Sequence, residues 1–162
     1  MVMKDLKYRM YGLVPYNISE IQKGIQFGHA VVEYQLQHGD SEEYKKWASE
    51  DKTFIILNGG TTNLSVEKPG SLNEYLQQFK TDIGIKIATF YEPDLGDQLT
   101  AFVFLVDERV FDKKKYPDFD QWYVLNHKTM TDGSHYYNTW LEFIGGEVNY
   151  YLREVLSNLR LA

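Results

Sequence analysis

Apolar positions along the chain change period several times, and each change marks an element. Lys7 to Val14 reads as a strand, stopped by Pro15, which has no N–H to give a central ladder. Ser19-Glu20-Ile21-Gln22 has the form of a capping box, in which side chains satisfy the free backbone N–H groups of a first turn. It opens a helix to about His38. Ile21, Ile25, Gly28, Val32 and Leu36 recur at the helical repeat and form the expected core-facing stripe. Gly39-Asp40 ends that helix, and Asp40 with Glu43 predicts the cap of a short second one, through about Glu50.

Thr53 to Leu57 is a β-branched apolar run, expected as a buried strand, and Asn58 to Thr62 follows as a loop. Ser71-Leu72-Asn73-Glu74 is a second capping box, with Leu72, Tyr75, Leu76, Phe79 and Ile83 on one helical face and a stop near Gly84. Ile85 to Tyr91 is a third strand, Glu92 to Gln98 an acidic turn, and Leu99 to Val106 a fourth strand. This order predicts an α/β fold, a three-layer sandwich on a small mixed sheet. Strands joined through helices should pair in parallel, and the last two, joined by a turn, antiparallel.

Residues 1–110 make up this expected domain, and 111–162 a C-terminal extension packed on it or on a second subunit. Within the extension, Trp122 to Leu125 and Tyr136 to Ile144 are ambiguous between helix and strand. Gly145-Gly146 is a break, and Val148, Tyr151, Leu152, Val155, Leu156 and Leu159 mark a terminal amphipathic helix.

The 162 residues suffice for one domain with a core. With no cysteine there can be no disulfide, thiolate nucleophile or Cys-held zinc. No apolar run suits a signal peptide or a membrane span, so a cytoplasmic protein without a membrane partner is expected. A net charge of −6 speaks against DNA, whose phosphates call for a basic surface. The basic run Lys113 to Lys115 is matched by Asp107, Glu108, Asp112 and Asp118. Aromatic residues are abundant (13 Tyr, 9 Phe, 3 Trp), and Trp140, Tyr150 and Tyr151 are hard to bury in one small core. A homodimer or higher homo-oligomer is therefore expected.

Three segments could carry chemistry. Gln22, Gln26, His29 and Glu33 fall within an arc of roughly 60° on the first helix, beside its apolar stripe. Such a line could orient a polar ligand or hold a proton-transferring imidazole, although a polar stripe is also what a surface helix shows. Tyr91-Glu92-Pro93-Asp94-Leu95-Gly96-Asp97 gathers three carboxylates where α/β sheets commonly place ligands, and turns favour Asp and Gly for steric reasons too. Gly59, Gly60 and Thr61 could present backbone N–H groups to an anion, or form a plain turn. His127 and His135 have no metal-ligand spacing, and no metal site is expected.

Gln26-Phe27-Gly28-His29-Ala30 resembles the Gln-x-Ser/Gly-His-Ala segment of type II peptidyl-tRNA hydrolases, and the elements over residues 7–110 fall in that family's order. The run FYEPDLGDQLTAFVFLVDERVF also resembles proteins of bacteriophage genomes, whose setting would be a host cytoplasm. The resemblance implies hydrolysis of the ester between a peptide and the tRNA 3′ end, with no metal or covalent cofactor. It places the family's Gln and His on Gln26 and His29, its turn Asp on Glu92, and its last Thr on Thr100. The family's Lys falls on Gln22, with Lys23 one place away. Losing that cation at the matched position points to altered work in an inherited pocket. The leading expectation is binding of a nucleotide-like small molecule through Gln22, Gln26, Gly59, Gly60, Thr61, Tyr91 and Asp94. An active hydrolase using His29, Glu92, Lys23 and Thr100, or an interaction module without ligand, are the alternatives.

Overall fold

Four strands form one mixed sheet in the order β2-β1-β4-β3. β1 (Tyr8–Val14) and β2 (Thr53–Asn58) run parallel in the computed structural model, which describes residues 5–63, 65–130 and 135–162. β3 (Ala88–Glu92) and β4 (Gln98–Asp107) run antiparallel. The expected pairings of β1 with β2 and of β3 with β4 therefore hold, whereas β2 and β3, also joined through a helix, lie at opposite edges and do not pair. Along the chain, α1 (Glu20–His38) and α2 (Glu42–Lys46) lie between β1 and β2, and α3 (Ser71–Gln78) between β2 and β3. Both α2 and α3 run on into a single wide turn of π-helix, Trp47–Asp51 and Phe79–Ile83, closed by left-handed Lys52 and Gly84. The chain divides into two compact units, Met1–Val106 with Leu159–Ala162, and Asp107–Asn158.

In the first unit, α1 meets the sheet with a face that differs from the expected one. Phe27, Ala30 and Tyr34 pack with Met10, Val14, Ala88, Ala101 and Val103, while Ile21, Ile25, Val32 and Leu36 are exposed. The helix carries two apolar stripes on opposite sides, and aromatic area decides between them. Phe27 and Tyr34 bury more surface than Ile or Val, and Phe27 settles into the space left by Gly12. A Cβ on Gly12 would lie 2.5 Å from the Phe27 ring and 2.8 Å from Val103.

Another cluster joins α3 and its π-turn to the sheet, where Phe79 packs edge-on to Phe102 and within 4.5 Å, ring to ring, of Phe104. Two cap expectations need correcting. Ser41, not Asp40, caps α2, accepting from the Tyr44 N–H. Gly70 is the N-cap of α3, and Ser71, one residue inside, turns its hydroxyl to the Gly59 carbonyl. The last residues of the chain return to β2: Arg160 accepts from the Asn58 N–H, and the Ala162 N–H donates to Ile56, around a bridge between Leu57 and Leu161.

Among the described residues of the second unit the regular elements are helices: α4 (Glu108–Phe111), α5 (Phe119–Asn126), α6 (Tyr136–Phe143) and α7 (Glu147–Ser157). Its core gathers Tyr116, Trp122, Trp140 and Ile144. Trp140, expected to be hard to bury, is 3% exposed, and its indole N–H donates to Pro117. Tyr151 remains half-exposed. Arg153 is buried beneath this cluster and donates to the carbonyls of Arg109 and Tyr116 and to Asp118. Burial alone would raise the Asp118 carboxyl, but the bonds from Arg153 and Lys113 outweigh it and hold it below the ordinary carboxylate range.

Candidate functional site

Ser19 accepts from the Gln22 N–H at 3.2 Å and so fixes where α1 begins. The reciprocal half of the expected capping box is replaced: the Gln22 side chain accepts from Gln26 one turn on, at 3.2 Å. Gln26 is almost fully buried. Its amide nitrogen also donates to Glu92 Oε2 at 2.8 Å, and its amide oxygen accepts from the Thr100 hydroxyl at 2.6 Å. Both amide hydrogens and the oxygen are thus engaged, which fixes the side chain in one orientation.

Thr100 reaches Gln26 because β4 is irregular there. Phe90 pairs with Ala101 and Tyr91 with Leu99, leaving Thr100 as an extra residue in the ladder. A bulge of this kind breaks the alternation of a strand and re-aims a side chain. Without it, Thr100 would share the sheet face of Phe102 and Phe104. With it, the hydroxyl turns toward α1.

At the C-terminal end of β3, just past the bulge, Glu92 caps a single 3₁₀ turn, Pro93–Leu95, accepting from the Asp94 N–H at 3.3 Å. The Gln26 hydrogen bond, then that of Asp94, holds the Glu92 carboxyl below its ordinary value of 4.5, and the nearby His29 adds to the effect. His29 lies flat against Phe90, with ring centroids 4.4 Å apart at 15°.

Beside this network opens a cavity of about 420 Å3, lined by Ile18, Ser19, Gln22, Ile25, Gln26, Glu92, Asp94 and Leu95. Its walls join three apolar side chains to a floor of amides and carboxylates. No Lys or Arg is among them. Among the described residues no three His, Asp or Glu side chains gather as a metal site.

Of the residues singled out by sequence, Gln22, Gln26, Glu92 and Thr100 are hydrogen-bonded together, His29 stands beside them and Asp94 lines the cavity. Lys23 is largely buried at the side of α1, its ammonium 3.0 Å from Glu20. Tyr91 is exposed and does not line the cavity. Gly59, Gly60 and Thr61 serve another end. The Gly59 N–H donates to Val14, the Gly60 N–H to Asn58 Oδ1, and the Thr61 N–H to Ser71 Oγ. These donors tie the β2 exit to the end of β1, to its own Asn58 and to the start of α3, and are spent there. Sequence reasoning missed Ile18, Ser19, Ile25 and Leu95 as cavity walls. The adjacency of α1 and the 3₁₀ turn is the signal that would have found them, and it is a tertiary one.

No protein-family model matches the chain, and no curated protein matches it in sequence.

Proposed function

We propose that the cavity binds a nucleoside-like small molecule, on a fold that is a divergent relative of the type II peptidyl-tRNA hydrolases. The observation that carries this reading is the chain Thr100–Gln26–Glu92, which holds a carboxylate rigid at the floor of a cavity of about 420 Å3. That size falls within the range of small-molecule pockets. Glu92 and Asp94 offer acceptors, which suits ribose hydroxyls or the amino edge of a base. Ile18, Ile25 and Leu95 offer apolar cover for a ring. With no cation in the lining, any phosphate on the ligand would point to solvent.

A thermal-shift titration with nucleosides, nucleotides and cyclic dinucleotides tests this. A ligand at a hundredfold excess over its Kd should stabilise the fold by about 2.7 kcal/mol. Glu92→Gln should abolish the shift while the free protein still melts in a single cooperative transition. No shift with any of these compounds would sink the reading.

A second reading, cleavage of the ester at a tRNA 3′ end, draws support from a different observation. The three positions that match the family's Gln, Asp and Thr are joined in one hydrogen-bonded line. Glu92 would take the proton of the attacking water. The missing Lys would leave the developing oxyanion without a cation, and so a slow enzyme. Release of peptide from peptidyl-tRNA that is lost in Glu92→Gln would favour this reading.

A further inference from the structure

Ile21, Ile25, Val32 and Leu36 are 77%, 43%, 56% and 75% exposed, in one row along the outward side of α1. Their separations are four, seven and four residues, so the row reads the same in both directions. A two-fold axis between Gly28 and His29 exchanges Ile21 with Leu36 and Ile25 with Val32. This is the self-complementarity that an isologous contact requires.

Gly24 and Gly28 lie along the same outward side, and a Cβ on either would meet nothing within 4 Å. Gly is the least favourable helix residue after Pro, and nothing within the chain calls for it at these positions. Two such residues one turn apart let a second helix backbone approach closely. Charge allows it as well. On a chain of net charge −6, the residues flanking the row are Gln22, Gly24, His29, Glu33 and Gln35, of which only Glu33 is a carboxylate.

We infer that α1 is a homodimer interface, two copies packing antiparallel along this row. Gln22 then comes within reach of Glu33 of the second copy, an amide facing a carboxylate. A helix of 19 residues is about 28 Å long. Laid along its copy it covers a strip at the small end of specific interfaces, so the dimer is expected to be concentration-dependent. Because Ile25 also lines the cavity, Val32 of the second copy covers the cavity rim. The inference does not depend on what the cavity binds.

Sedimentation velocity of the full chain from nanomolar to submillimolar concentration tests it. A monomer–dimer equilibrium is expected, weakened at least about tenfold by Val32→Glu with Leu36→Glu, while circular dichroism and the melting temperature at low concentration stay unchanged. Gly28→Ala is a second probe with two readouts of opposite sign: the dilute monomer melts higher, and the dimer weakens. A monomer at every concentration, a dimer indifferent to the paired charges, or a Gly28→Ala variant that strengthens both readouts would overturn the inference.

Discussion

The hydroxyl of Thr100 donates to the amide oxygen of Gln26 at 2.6 Å, from a position in β4 that pairs with no residue of β3. A strand defect thereby fixes a helix side chain, and through it the carboxylate at the cavity floor. Thr100→Val keeps the volume and removes the donor, leaving a buried amide oxygen unsatisfied. The expected loss is about 1–3 kcal/mol of stability in urea denaturation, with Thr100→Ser close to the parent.

Acid should act on the same line through Glu92. Its carboxyl lies below 4.5 in the folded chain, so the stabilisation it brings is complete above that value. It disappears as pH falls through the lower, folded-state value. Stability measured from pH 6 downward should therefore fall less steeply in Glu92→Gln than in the parent, and an unchanged acid limb would refute the assignment.

Tyr34 gives the corresponding effect in alkali. Burial, with Glu43 nearby, pushes its phenol up to about 12 from an ordinary 10.0. The neutral phenol is favoured by folding, so its contribution is intact below pH 10 and is lost as pH rises through 12. Absorbance titration should show one tyrosine ionising last, together with unfolding, and Tyr34→Phe should remove that step.

Gly12→Ala sets a methyl group against Phe27 and Val103, the contact on which α1 is seated. Overpacking of this kind costs about 1–3 kcal/mol, and chemical denaturation measures it directly. A neutral outcome would show that the Phe27 ring can withdraw.

Arg153→Met should uncouple the second unit from within. The carbonyls of Arg109 and Tyr116 and the Asp118 carboxylate lose their shared donor. The expected loss is about 2 kcal/mol or more in that unit, counting the two stranded carbonyls at about 1–3 each, since Asp118 keeps its bond from Lys113. Trp122 and Trp140 lie there and Trp47 in the first unit, so single-tryptophan variants separate the two transitions.

How far the sequence reveals this molecule depends on whether a pattern is local. The four strands are legible because short apolar runs, rich in β-branched and aromatic residues, are bounded by Pro15, Asn58 and the acidic turn. The start of α1 is legible because a serine hydroxyl two to three residues from free N–H groups can do little else. The buried face of α1 is not. Ile and Val at helical spacing look like core, and only the space above Gly12 shows that Phe27 and Tyr34 take that role. The cluster of Gln22, Gln26 and Glu92 was within reach of spacing and family resemblance. Thr100 entered only through the resemblance, since strand parity alone assigns it to the opposite face. Tyr136 to Ile144 resists assignment for a compositional reason, because aromatic residues fill helices and strands of mixed polarity alike.

The short bridge between Leu57 and Leu161 has a practical bearing on dissection of the chain. Residues 107–158 form an insertion, because the four residues that follow them shield the free edge of β2. Ending the polypeptide at Val106 would strip that shield along with the helices and leave an adhesive strand exposed. An aggregated truncation product would then report on the bared edge of β2, and say nothing of the helices removed. Joining Val106 to Leu159 through a flexible linker removes the helices and keeps the edge sealed.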